Sequence, residues 1–246
     1  MEGFDDLRSR AEMITGEIRD AEIRYGRPEG SVRLVAAAKY ALPGEIAFLR
    51  DRCGIKDFGE NTVRTYLAHA AALGGGVTMD FIGKLQTNKV KYIAATVGTV
   101  QSVDSLKLAA EIGKRALAAG RSIPVLIEIN SGREPGKSGV MPEEAEELTL
   151  ACAGVRGIEI AGFMTMGPKY DNITDYFNNF EKTCRLSLDI WQKKLHNITE
   201  PVLSMGMSDS ILPAIAAGAN CVRVGSRLFG RHAPLPPSAA GAGHQV

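Results

Sequence analysis

The sequence predicts a single (β/α)8 barrel, the TIM-barrel architecture. Three observations carry it. Short apolar runs alternate with stretches of helical pattern about eight times over. The 246 residues match the roughly 250 usual for such a barrel. No strand–helix junction carries the Gly-x-Gly-x-x-Gly of a dinucleotide-binding sheet. An open, doubly wound sheet is the alternative, and the two differ in one consequence. A closed barrel makes the first and last strands neighbours, although Lys39 and Arg223 stand far apart in the chain.

Taken in order, the chain begins with an amphipathic helix over 5–25, whose apolar positions Leu7, Ala11, Ile14, Ile18 and Ile23 recur at helical spacing. Strand ends are expected near Lys39, Gly59, Gly83, Val103, Asn130, Met166, Gly206 and Gly225. Helices are expected over 45–52, 62–73, 106–119, 142–153, 176–195 and 211–217. One domain over 1–232 follows. Residues 233–246, rich in Pro, Gly and Ala, are expected to be a disordered tail.

Composition excludes several classes of function. Hydrophobic residues make up 45 %, enough for a sizeable core, and a net charge of +1 gives no bulk field toward nucleic acid or anionic membrane. Cys53, Cys152, Cys184 and Cys221 are widely spaced without a Cys-x-x-Cys pair, which suits buried thiols in a reducing compartment better than disulfides or zinc. The four histidines are equally scattered, so no metal site is expected. The amino terminus is acidic and no apolar run approaches the ~18 residues of a membrane span. A soluble, cytoplasmic protein is expected.

The stretch Arg33-Leu-Val-Ala-Ala-Ala-Lys39-Tyr40 is a short apolar run ending in a lysine, with Pro43 and Gly44 close behind. With period two, Val35, Ala37 and Lys39 share one face, and the small Ala37 leaves room beside the amine. An amine desolvated there becomes a nucleophile able to form a Schiff base with an aldehyde. A lysine that simply snorkels to water is the bland alternative.

The last two strand ends add an anion site. Barrels often hold phosphate after strands seven and eight, and Met207-Ser208 and Gly225-Ser226 offer hydroxyls, backbone N–H groups and a glycine that lets the backbone come close. Ser208 as a plain helix cap is the alternative. Pro213 argues for a helix starting nearer Ser210, which leaves Ser208 free. Arg223 alternates with two valines, so on an inner face it needs a partner, whereas on the rim it would be solvated. Facing a pyridine ring, it would require an unprotonated ring nitrogen, a poor electron sink. Ser131-Gly-Arg-Glu-Pro-Gly-Lys-Ser138 imitates a P-loop, but its first glycine comes a residue late and Gly139 and Pro142 interrupt the helix that must follow.

Lys39, Phe58-Gly-Glu-Asn61, Phe81-Ile-Gly-x-Leu-Gln-x-Asn-Lys89, Ser102-Val-Asp104, Lys137-Ser-Gly139, Leu203-Ser-Met-Gly-Met-Ser-Asp209 and Val222-Arg-Val-Gly-Ser-Arg-Leu-Phe-Gly230 occur in this order. With them the chain resembles the pyridoxal phosphate homeostasis protein family from about Val32 to Gly230. The resemblance implies a barrel like the amino-terminal domain of alanine racemase, with pyridoxal 5′-phosphate (PLP) held as a Schiff base on Lys39. By motif position, Arg223 would meet the pyridine nitrogen, Ser208, Gly225 and Ser226 the phosphate, and Asn61 would line the pocket. Three departures stand out, one of them Pro213, unusual in its helix and bearing on where Ser208 lies. Ala41 replaces a lysine frequent in relatives, and Ser226 replaces a commoner threonine while keeping the hydroxyl. Catalytic relatives bring a second acid or base from a further β domain and a partner subunit. The chain ends soon after strand eight, so the resemblance implies a monomeric PLP carrier, without catalytic residues, that regulates PLP homeostasis and passes the cofactor to PLP-dependent apoenzymes. A weak PLP-dependent amino-acid racemase is the alternative.

Overall fold

A computed structural model describes residues 4–193 and 200–230 of the chain. Eight parallel strands close into a barrel in sequence order. They are β1 (Arg33–Ala37), β2 (Asp57–Glu60), β3 (Thr78–Phe81), β4 (Val100–Val103), β5 (Ile123–Glu128), β6 (Ile158–Met164), β7 (Val202–Ser204) and β8 (Cys221–Val224). The helices are α1 (Asp5–Arg24), α2 (Pro43–Cys53), α3 (Val63–Leu73), α4 (Leu106–Ala118), α5 (Ala145–Ala153), α6 (Ile173–Trp191), α7 (Ile211–Ala216) and α8 (Ser226–Phe229). Between β3 and β4 the chain makes a 3₁₀ helix, Thr87–Tyr92, where the periodicity predicts no helix. The end of the helix expected over 176–195 and the tail expected at 233–246 lie outside the described residues.

Local chemistry sets the boundaries. Thr62, Ser105 and Asn172 each accept the backbone N–H three residues on, capping α3, α4 and α6. Pro43 opens α2 at a position with no N–H to lose, and Gly54 closes it in the left-handed region. Helix α1 buries Leu7, Ala11, Ile14, Ile18 and Ala21, while Ile23 is 70 % exposed. Ile23 falls out of phase because the 3.6 period continues from Ile18 to Ala21 and Glu22.

The seam between first and last repeats is fully paired: Val35 stands opposite Arg223 and Ala36 opposite Val224. Across it packs α1, against α2, α7 and α8, with Arg10 Nε donating to Leu228 O at 2.8 Å. Val222 and Val224 face the outer core beneath the helices, so the alternating Arg223 points into the barrel. Among the described residues no helix is long and apolar enough to cross a membrane, and no cluster of His, Cys, Asp or Glu is arranged to hold a metal ion. Cys53, Cys152, Cys184 and Cys221 are free thiols.

Candidate functional site

At the carboxyl ends of the strands lies a cavity of about 280 Å³. Lys39, Asn61, Ser208, Arg223, Gly225 and Ser226 all line it, so the structure brings the six candidate cofactor residues together. Ala37 lines it too, with Val35 wholly buried one step deeper, as period two requires.

Lys39 differs from expectation in one respect. Strand β1 ends at Ala37 and the chain turns at once, Ala41 N–H donating to Ala38 O at 2.8 Å. Lys39 therefore sits on a turn, exposed rather than desolvated, with Nζ 4.8 Å from the centre of the Tyr40 ring. The turn is held from behind. His69, buried on α3, places Nε2 3.1 Å from Ala41 O and Nδ1 2.6 Å from Glu60 Oε1 at the end of β2. Sequence reading passed over His69 because it stands alone in a helical pattern; its partners meet it only through the packing of α3 against β2 and the turn after β1.

Asn61 is positioned by Gly83. A Cβ on Gly83 would lie 2.3 Å from Asn61 O and 2.7 Å from Asn61 Cα, so the glycine of the Phe81-Ile-Gly motif exists for a close backbone approach. At Gly225 a Cβ would meet Ala37 O at 3.1 Å, which keeps β8 flush against β1 at the cavity floor.

Arg223 is 2 % exposed and not a rim residue. Its NH1 donates to Ser204 Oγ at 2.5 Å and its NH2 to Thr165 O at 2.8 Å. Burial pulls its pKa below the ordinary guanidinium value, opposed by Cys221 and Glu128. Helix α7 begins at Ile211 after Ser210, so Pro213 falls in the first turn, where its missing N–H costs nothing. Ser208 is thereby free of capping α7, and its Oγ instead accepts the Arg227 N–H at the start of α8 at 3.5 Å. Its Oγ accepts from Ser226 Oγ at 3.1 Å, and Arg227 NH1 donates to its carbonyl at 3.1 Å. Arg227 is in turn held by Glu17 of α1 at 2.6 Å.

The Gly-Lys-Ser segment forms no P-loop: 131–141 is loop, and only a 3₁₀ turn, Pro142–Glu144, precedes α5. It walls a smaller cavity of about 110 Å³ that shares Ile82 and Met166 with the first. Glu128, missed in the sequence because an acid ending an apolar strand gives no signal of its own, lines this cavity and is 5 % exposed. Its pKa is pushed up to about 7, by burial first and then Asp104, against Arg223 and Lys84. Raised from 4.5, it makes the folded chain bind more protons than the unfolded one, so its stabilising contribution is complete below about pH 4.5 and is lost as pH rises through 7. Glu128→Gln is therefore expected to flatten this decline and to stabilise the chain at pH 8 by up to about 3 kcal/mol, read from urea midpoints at pH 5 and 8. Equal slopes for both chains would refute the assignment.

The family profile described as "Alanine racemase, N-terminal domain" matches residues 31–233. The "Pyridoxal phosphate homeostasis protein" of Aquifex aeolicus (strain VF5) is 38 % identical over 222 residues, covering 90 % of this chain and 96 % of that one. Among solved structures, PipY of Synechococcus elongatus PCC7942 with PLP bound is 28 % identical at a TM-score of 0.72, covering 86 % of this chain and 98 % of that one. An alanine racemase of Clostridium difficile 630 shares the fold at a TM-score of 0.73 and 18 % identity, over 93 % of this chain and 57 % of its own. With the barrel, the cavity and these likenesses together, the chain belongs to the pyridoxal phosphate homeostasis protein family, built on the alanine racemase amino-terminal domain.

Proposed function

We propose that the chain binds PLP in the larger cavity, covalently through Lys39, and serves as a carrier that buffers the cofactor and releases it to PLP-dependent apoenzymes. One observation carries this: an amine, a buried guanidinium and a pair of serine hydroxyls, drawn from the ends of β1, β7 and β8, line a single cavity. These residues fit a phosphorylated pyridine aldehyde. Lys39 supplies the nucleophile. Arg223 keeps N–H donors beyond those given to Ser204 and Thr165, and the cavity it lines can use them on the ring nitrogen. Ser208 and Ser226, with Gly225 leaving the backbone bare, suit the phosphate, and Asn61 closes the wall. When bound, PLP supplies a reactive aldehyde and an electron-withdrawing ring.

A guanidinium cannot give up its proton, so Arg223 holds the ring nitrogen as an acceptor and weakens the ring as an electron sink. That favours holding over catalysis. Residence in the cytoplasm as a monomer completes the reading and agrees with the four free thiols. The test is to add PLP to the purified chain and follow absorbance, then incubate the loaded protein with L- and D-alanine in heavy water. A visible band of bound PLP with negligible α-proton exchange is expected. Exchange at the turnover of a racemase would replace the carrier with an enzyme, and no band would remove the cofactor.

A further inference from the structure

Arg223 is the cavity end of a hydrogen-bonded line that crosses the barrel interior. Ser204 Oγ, which accepts from Arg223, donates to Gln101 Oε1 at 2.7 Å, and Gln101 Nε2 donates to Asp80 Oδ2 at 2.8 Å. Arg33 NH2 reaches the same Asp80 oxygen at 2.6 Å. These residues come from β8, β7, β4, β3 and β1, and a bond from β7 to β4 joins strands that are not neighbours, so it runs through the interior. Asp80, Gln101 and Ser204 are wholly buried. Water does not compete for these bonds.

The direction of every bond in the line is forced. Asp80 already accepts from Arg33 and, at 2.9 Å, from Thr99 N–H, so it acts as a carboxylate acceptor. Gln101 must then offer it the amide NH2, which turns the amide oxygen toward Ser204. That oxygen takes the single hydroxyl proton of Ser204. The serine is left with lone pairs alone for Arg223, and Thr165 O fixes the other terminal nitrogen.

We infer that Gln101 and Ser204 are positioning residues for the cofactor: they hold the Arg223 donor fork in the one orientation that presents N–H groups to the ring nitrogen, with the Arg33–Asp80 pair as the anchor. This rests on the PLP reading above. Neither Gln101 nor Ser204 lines the cavity, so any effect on the ring passes through Arg223.

The test loads PLP onto Gln101→Met, which keeps the length of the side chain without the amide, and onto Ser204→Ala, which removes one oxygen. In both, the absorbance maximum of bound PLP and its pH profile are expected to shift. PLP should also leave roughly tenfold faster, the effect of losing one hydrogen bond to a charged group. A role confined to packing would lower the melting temperature and leave the spectrum of bound PLP where it was. Where Gln101→Met does not fold, Ser204→Ala decides. A parental band whose position, pH profile and dissociation rate are unchanged in the variants overturns this inference alone. No band in the unsubstituted chain overturns the cofactor reading and this inference with it.

Discussion

Lys39→Ala is expected to abolish covalent retention of PLP: after borohydride reduction and denaturation the parent chain should carry one cofactor mass on the Lys39 peptide and the variant none. The loss should be close to total because, among the described residues, the cavity is lined by no second amine. Its other cation is Arg223, which stays protonated and is no nucleophile. Position 41, where relatives frequently carry another lysine, is alanine, and Lys84 lines the adjoining cavity instead. The fold should survive the change. Lys39 is exposed and its ammonium lies over the Tyr40 ring, an interaction worth roughly 0.5–1 kcal/mol at such a site. Function and stability therefore separate in this variant, and an equal yield of reduced adduct in Lys39→Ala would place the nucleophile elsewhere.

Asp80→Ala is expected to be the most destabilising single change at the barrel interior, by about 3–5 kcal/mol. For a chain of this size that lowers the melting temperature by roughly 10 °C. Asp80 is wholly buried and accepts from Arg33, Gln101 and Thr99 N–H. Burial pushes its pKa up, while Arg33 and then Gln101 pull it back toward the charged form. Removing it leaves a Gln101 amide without an acceptor and an Arg33 whose remaining carboxylate is Asp57 at 3.0 Å. Calorimetry on the two chains measures the difference, and a loss below about 1 kcal/mol would mean that interior water replaces the carboxylate.

The architecture was legible because each repeat writes its own signal. An apolar run too short for a helix is followed by a helical pattern, and the strands paired in the order in which they occur. That Lys39, Asn61, Ser208 and Arg223 would line one cavity was legible for a related reason: in a barrel the residues at and just after the strand ends converge on one face. The interior line was not. Arg33, Asp80, Gln101 and Ser204 come from four short strands with one or two polar residues each, and a polar residue in such a run reads equally as an edge or a surface position. Their partnership depends on strand register and on bonds across the barrel, which no local pattern encodes. A charged residue such as Asp80, in phase with the inward positions of Thr78-Met-Asp-Phe81, was the signal available. The strand was expected to reach Lys39 but stops at Ala37, and the turn carries the amine outward, as the snorkelling alternative has it.

The seam joining β1 to β8 has a consequence for when the protein can work during its synthesis. The nucleophile is made among the first forty residues, but the guanidinium and the Gly225–Ser226 backbone arrive nearly two hundred residues later. A ribosome-bound chain still lacking β8 has an amine with no floor beneath it and no anion seat beside it. On the reading proposed above, covalent capture of PLP therefore waits for the closed barrel.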